Sequence, residues 1–491
     1  MIREFRQHVT DIIRSHFAGN TLKGKVASSA VWLATANGTG NALRLLRNMI
    51  LARLLAPEAF GIMATVIASV SVMEAFAEVG LKQSVIQNKK GADKGYLNIT
   101  WWLTSLRGIS LYTIAFFAAP LISQFFNKPD SEIFLRVGFL AILLNGLISP
   151  KLHVLQKNLK FAKWILVMDG AGVLGVTFTI ILAFYIQSVW ALVFGYTAEA
   201  LLRLLLSFIV CPFKPHFSFD KSYLSDILKF SKQMFGLPIL MMFFIQSSVF
   251  VIGRVLSLEE LGMFTLARSL AEIPSTLYSR IISPVLLPTL SNIQDNKEKL
   301  NSILLKINKL TATLGIPFIT FFIVFSKPLL SLVYGHNYSD VSTPFSILCI
   351  YTYIFICSAP IVTMYIATGK PGIHRNASAL KTILLLILIY PVTKIFGLIG
   401  ASFAILLAMC SGFLVQIVYA HKLIDFRVNL YIKGWSIGAA SSLIVMLPGV
   451  IIINFTKLSD LSTICIGTIL FLTAWIVGIA YLGSFAGKDR R

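Results

Sequence analysis

The sequence predicts an all-α membrane protein of about fourteen transmembrane helices: two parallel six-helix lobes around a central cavity, followed by two C-terminal helices. Three observations predict it. The 491 residues are 56% hydrophobic and only 13% charged, with apolar stretches of about twenty residues almost end to end, the length that crosses a hydrocarbon core. The stretch LARLLAPEAFGIM from Leu51 reappears 201 residues later as IGRVLSLEELGMF from Ile252, so Arg53, Leu55, Glu58 and Gly61 recur as Arg254, Leu256, Glu259 and Gly262. A repeat at that period is a duplicated domain rather than a solenoid unit. Most of the 43 lysines and arginines fall in alternate loops, while only Arg53, Lys128, Arg254, Lys327, Lys394 and Lys457 fall on the other side.

The spans are expected at 28–52, 60–81, 97–119, 132–150, 164–186, 189–210, 230–252, 262–287, 308–326, 342–367, 378–396, 399–420, 433–453 and 462–483. Basic residues are retained on the cytoplasmic side, so both termini are expected there, as an even number of spans requires. Six spans separate the two copies of the repeat, which gives them the same orientation and makes the lobes parallel repeats. The domains are then an N-terminal segment at 1–25, an N-lobe at 26–212, a cytoplasmic linker at 213–229, a C-lobe at 230–420, and two added spans with a cytoplasmic tail at 421–491. VWALVFGY from Val189 echoes LIGASFAI from Leu398, which equates spans six and twelve.

In the first 25 residues Ile2, Phe5, Val9, Ile12, Ile13 and Phe17 share one helical face, with Arg3, Arg6 and Arg14 elsewhere. This predicts a short helix on the inner leaflet rather than a signal peptide, with a frayed tail as the alternative. The net charge of +22 does not indicate nucleic acid, because it is spread over short loops beside the membrane. Cys211, Cys349, Cys357, Cys410 and Cys465 contain no CxxC pair and sit in or at the ends of spans. They read as packing residues, and neither a disulfide nor a metal nor any cofactor is predicted.

Charges inside a bilayer cost about 2.5–3.5 kcal/mol each on insertion scales, so their placement carries the functional signal. In span one Asn37, Asn41, Arg44 and Asn48 lie on one helix face, with Arg47 a quarter-turn away. Ser71, Glu74, Glu78 and Lys82 form a stripe in span two. Thr265, Arg268, Glu272, Ser275, Ser279 and Ser283 form a third in span eight, with Arg280 beside it and Pro274 and Pro284 able to bend the helix. Arg268 with Glu272, Glu78 with Lys82, and Glu199 with Arg203 are each four apart and could simply neutralise one another. Asn and Ser beside Arg favour wet faces that converge on a cavity. The duplicated pairs, Arg53 with Glu58 and Arg254 with Glu259, are assigned to hairpin geometry, whereas Arg44, Arg268 and Arg280 have no charged counterpart 201 residues away, as an asymmetric substrate would require. Asp169 reads as an interface carboxylate, and His336 and Asp340 as ordinary loop residues.

EVGLKQSVIQ from Glu78, LQKNLKF from Leu155, VWALVFG from Val189 and the repeated hairpin together resemble the polysaccharide repeat-unit flippases. These belong to the multidrug/oligosaccharidyl-lipid/polysaccharide exporter superfamily, and the likeness points to its exopolysaccharide (colanic-acid or teichuronic-acid type) export branch. The resemblance implies a V-shaped cavity opening alternately to each face of the bacterial cytoplasmic membrane. It implies as substrate an oligosaccharide on a polyprenyl pyrophosphate, moved from the inner to the outer leaflet. It also implies neighbours: glycosyltransferases that supply the substrate and a polysaccharide polymerase that consumes it. In that setting Arg44, Arg268 and Arg280 would contact pyrophosphate or acidic sugar. Asn37, Asn41 and Asn48 would bond sugar hydroxyls, and Glu74, Glu78 and Glu272 would balance charge or take up a proton. Coupling to a proton gradient, a sodium gradient or the membrane potential stays open. A drug/cation antiporter of the same superfamily is the runner-up, although cavity arginines suit organic cations poorly. A membrane-embedded glycan polymerase should carry a large outer loop with catalytic carboxylates, and a passive scaffold would not need buried arginine.

Overall fold

The computed structural model describes residues 40, 42–76, 80–158, 160–216, 220–234, 237–455 and 458–488. The amphipathic N-terminal segment and the first part of predicted span one lie outside the described residues. The described chain is helical throughout, with short 3-10 turns at Pro129–Ser131 and His336–Val341. In order the helices are α1 (42–54), α2 (Pro57–Phe76), α3 (Leu81–Gln87), α4 (Lys94–Phe125), α5 (Glu132–Gly146), α6 (Lys151–Lys157), α7 (Phe161–Ile186), α8 (Val189–Val210), α9 (Lys221–Met234) and α10 (Leu237–Val255). They continue with α11 (Leu258–Ala271), α12 (Ile273–Ile281), α13 (Ser283–Ser291), α14 (Lys297–Val324), α15 (Ser326–Tyr334), α16 (Ser342–Ala367), α17 (Pro371–Ile424), α18 (Val428–Lys433), α19 (Trp435–Phe455) and α20 (Asp460–Lys488).

Among the described residues nine helices are long and apolar enough to cross a bilayer, or ten if the pair Pro129–Gly146 and Lys151–Lys157, bent by 63°, is one span. The difference from the expected fourteen has identifiable causes. Predicted spans eleven and twelve both fall within the 54-residue α17, interrupted at Gly397, whose φ of 58° and ψ of −140° are non-helical. Predicted span eight is divided among α11, α12 and α13, with breaks at Glu272 and Ile282. Pro274 and Pro284 each stand in the first turn after a break, where a residue without an N–H costs nothing but cannot continue the preceding helix. Of predicted span seven, residues 235–236 lie outside the described residues, and the described part includes the shorter apolar helix Ile239–Val255.

The outward surface is that of a protein solvated by lipid. Phe117, Tyr185, Ile395 and Phe455 are 72%, 84%, 71% and 82% exposed, an apolar exposure that water would not tolerate over so much surface. Without a hydrophobic force between helices in lipid, small residues let backbones approach. Gly108 of α4 meets Gly146 of α5, Gly195 of α8 meets the Thr179 side chain of α7, and Gly438 of α19 meets the Ala312 backbone of α14.

The chain divides into two compact units. The first holds the described residues up to Arg47 together with Thr65–Ile239, and the second holds Asn48–Ala64 and Leu240–Arg491. In the first, α7 packs along α8, and α5 packs against both α4 and α8. In the second, α16 packs along α17, while α14, α19 and α20 form a further group. The second unit also contains both copies of the sequence repeat. A methyl group on Gly61 would overlap the Leu258 carbonyl, and one on Gly262 would overlap the Pro57 carbonyl. Each glycine therefore sits on the first residue of the helix begun by the other copy.

Candidate functional site

Each unit holds a polar site inside its helices. In the first unit the Glu199 carboxylate pairs with Arg203 one turn along α8, at 2.7 Å. Both side chains are largely buried, at 17% and 19% exposure. Arg203 also donates to Asn145 Oδ1 of α5 at 3.4 Å. Gly175 of α7 makes the room, since a methyl there would lie 2.7 Å from Glu199 Cβ. Arg47 of α1 interacts electrostatically with Glu199 and with Arg44, and Tyr196 interacts with Glu74, Arg203 and Glu199. Glu74, Lys82, Arg107, Asn145, His153 and Arg203 all line one cavity of about 230 Å³.

In the second unit Arg268 holds three elements together. Its Nε donates to Glu272 Oε1 at 2.8 Å, and Nη1 donates to the Ile245 carbonyl at 3.2 Å and to Ser248 Oγ at 3.1 Å, both on α10. It also engages Tyr351 of α16. The side chain is 13% exposed and that of Glu272 35%, a setting in which an ion pair needs the extra hydrogen bonds to offset desolvation. Glu272 can reach Arg268 because it stands at the break between α11 and α12, still one turn further along. A cavity of about 250 Å³ opens beside the pair. Lys381 of α17 lines it, with its ammonium 4.4 Å from the centre of the Phe244 ring.

Of the residues selected from sequence, Arg268 and Glu272 are brought together in the second unit, and Glu74 lines the cavity of the first. Arg44 is exposed and Asn48 half-buried on α1, at positions assigned to different units. Asn37, Asn41 and Glu78 lie outside the described residues, and Arg280 lies on α12. Of the hairpin residues, Arg53 donates to the Leu332 carbonyl at 2.5 Å. Glu58 and Glu259 stand in the first turns of α2 and α11, where a carboxylate complements the helix dipole, and Arg254 closes α10. Sequence reasoning missed Arg107, Asn145, Tyr351 and Lys381. A lone lysine or asparagine near a span end gives no periodic signal, because its partners come from other helices.

Comparison with known proteins agrees with the sequence resemblance. Residues 50–343 match the family described as polysaccharide biosynthesis protein. The chain is 25% identical over 391 residues to the lipopolysaccharide biosynthesis protein WzxC of Escherichia coli (strain K12), covering 79% of each chain. It is 24% identical over 323 residues to the succinoglycan biosynthesis transport protein ExoT of Rhizobium meliloti (strain 1021), covering 65% of each. The fold is similar to that of a solved structure of the lipid II flippase MurJ, itself in an inward closed conformation, with a TM-score of 0.74 at 17% identity over 92% of this chain and 99% of that one. An inward-facing MATE multidrug resistance transporter of the MOP superfamily gives a TM-score of 0.59 at 15% identity, over 80% and 99% of the two chains. Matched over most of its length by one family and built on a fold used by transporters, the chain belongs to the polysaccharide biosynthesis protein family and is a multi-pass membrane transporter of polysaccharide biosynthesis.

Proposed function

We propose that this protein is a flippase that moves a polyprenyl-pyrophosphate-linked oligosaccharide repeat unit from the inner to the outer leaflet of the bacterial cytoplasmic membrane by alternating access. The observation that carries the reading is the family match over residues 50–343. It is supported by a fold shared with a protein whose substrate is itself lipid-linked, the lipid II flippase. In this reading fourteen spans form two parallel six-helix lobes, 26–212 and 230–420, around a central cavity, and both termini are cytoplasmic. Arg44, Arg268 and Arg280 attract the pyrophosphate or acidic sugars, Asn37, Asn41 and Asn48 bond hydroxyls, and Glu74, Glu78 and Glu272 balance charge or carry a coupling proton. The lipid tail stays in the bilayer, so only the charged head needs a hydrated path. A glycosyltransferase would supply the substrate and a polymerase would consume it.

The test is deletion of the gene in its host followed by extraction of the polyprenyl pyrophosphate pool. Completed oligosaccharide units should accumulate facing the cytoplasm while surface polymer disappears. Normal polymer and lipid pools with altered sensitivity to cationic drugs would overturn the flippase and favour a drug/cation antiporter.

A further inference from the structure

Among the described residues, the cavity of the second unit is lined by two cations, Arg268 and Lys381, and one carboxylate, Glu272. Glu272 is the acid that lines it among the described residues, and its Oε1 is committed to Arg268 Nε at 2.8 Å. Arg268 and Glu272 are therefore neutral as a pair. Lys381 is left: among the described residues no carboxylate lies within ion-pair distance of it, and its ammonium lies over the face of Phe244, 4.4 Å from the ring centre. An ammonium lifted from water toward an aromatic face is stabilised by the ring quadrupole but keeps N–H donors unused.

The packing around Lys381 keeps the side chain in place. Gly412, on the same α17 beyond the Gly397 break, lies against its stem: a methyl there would come 3.2 Å from Lys381 Cβ and 3.3 Å from Cδ. Hydroxyls complete the lining. Ser275 Oγ donates to the Glu272 carbonyl at 2.7 Å, and Thr382 Oγ1 donates to the Ser378 carbonyl at 2.7 Å. With their protons turned back into the helix, both oxygens keep lone pairs for a ligand's hydroxyl groups.

We infer that Lys381 is a binding residue for an anionic group, a phosphate or a sugar carboxylate, held in the second unit's cavity that Arg268 also lines, while the Ser275 and Thr382 oxygens accept from hydroxyl groups of the same ligand. This deepens the flippase reading and rests on it. The shared chemistry has two sources, the carrier's pyrophosphate and an acidic sugar of the glycan.

The experiment uses the full chain in nanodiscs with two probes: farnesyl pyrophosphate, which has no glycan, and a glucuronate-containing tetrasaccharide, which has no lipid. Wild type should bind at least one. Lys381→Met should weaken that binding about tenfold to a hundredfold, the loss of one charge-assisted hydrogen bond. Lys381→Arg should keep most of it, and both variants should melt near the wild-type temperature. Loss confined to the first probe assigns the site to the carrier, and loss confined to the second assigns it to the glycan. Equal affinity in Lys381→Met, or no binding of either probe by wild type, overturns the site. Complementation of a deletion strain separates this from the parent reading. Polymer restored equally by wild type and Lys381→Met sinks the site alone, whereas unchanged polymer on deletion sinks the flippase itself.

Discussion

Gly61 and Gly262, 201 positions apart in the sequence, occupy equivalent places in one reciprocal contact: each lies against the backbone carbonyl that begins the other's helix, Leu258 for Gly61 and Pro57 for Gly262. Backbone carbonyls cannot turn aside as a flexible side chain can. Gly61→Ala and Gly262→Ala should each destabilise the protein by about 1–3 kcal/mol, the usual range for overpacking, and the double variant should cost less than the sum because the two sites share one contact. Thermal unfolding of the purified variants in detergent checks this, and wild-type melting of both would show that α2 and α11 are not held together there.

The Arg268–Glu272 pair should show strong coupling. Glu272→Gln leaves the arginine without its anion and should cost about 1–3 kcal/mol or more, while Arg268→Met with Glu272→Leu should recover part of that loss. A double-mutant cycle on unfolding free energy measures the coupling. Additive effects would mean that Ser248, Tyr351 and the Ile245 carbonyl hold Arg268 without the carboxylate.

Gly397 interrupts α17 with φ 58° and ψ −140°, and among the described residues nothing lies within 4 Å of where a Cβ would stand. Gly397→Ala should therefore cost about 1–3 kcal/mol through the backbone alone, and Gly397→Val should cost no less. A melting temperature unchanged in both would contradict the conformational reading.

His153, on α6 beyond the end of predicted span four, has its Nδ1 buried without a hydrogen-bond partner among the described residues. Burial, with the Lys82 charge nearby, pushes its pKa down from 6.5 to about 4. The unfolded chain then takes up a proton below pH 6.5 that the folded protein refuses until about 4, so this group's contribution to stability falls across that window as the pH drops and levels off below it. His153→Gln should flatten the fall, measured as melting temperature against pH. An unchanged slope in the variant would show that other groups set the acid response.

Arg44 is exposed on α1, so Arg44→Ala should leave the melting temperature within error while abolishing polymer export in a deletion strain. Arg44→Lys should keep part of the activity if charge alone matters and little if a bidentate phosphate contact is needed. Full export by Arg44→Ala would remove the residue from the substrate path.

Much of this was legible in the sequence because it is local. Hydropathy over twenty residues reported the membrane helices, the spacing of four put Glu272 beside Arg268 and Glu199 beside Arg203, and Pro274 and Pro284 marked breaks that fall at Glu272 and Ile282. Residues on one helix keep fixed relative positions whatever surrounds them. The tertiary structure decided the rest. That Gly61 and Gly262 form one contact, that Lys381 of α17 lies over Phe244 of α10, and that Asn145 of α5 reaches Arg203 of α8 all depend on how separate helices cross and rotate. Those angles follow from where small residues let backbones close together, which no single helix's periodicity encodes.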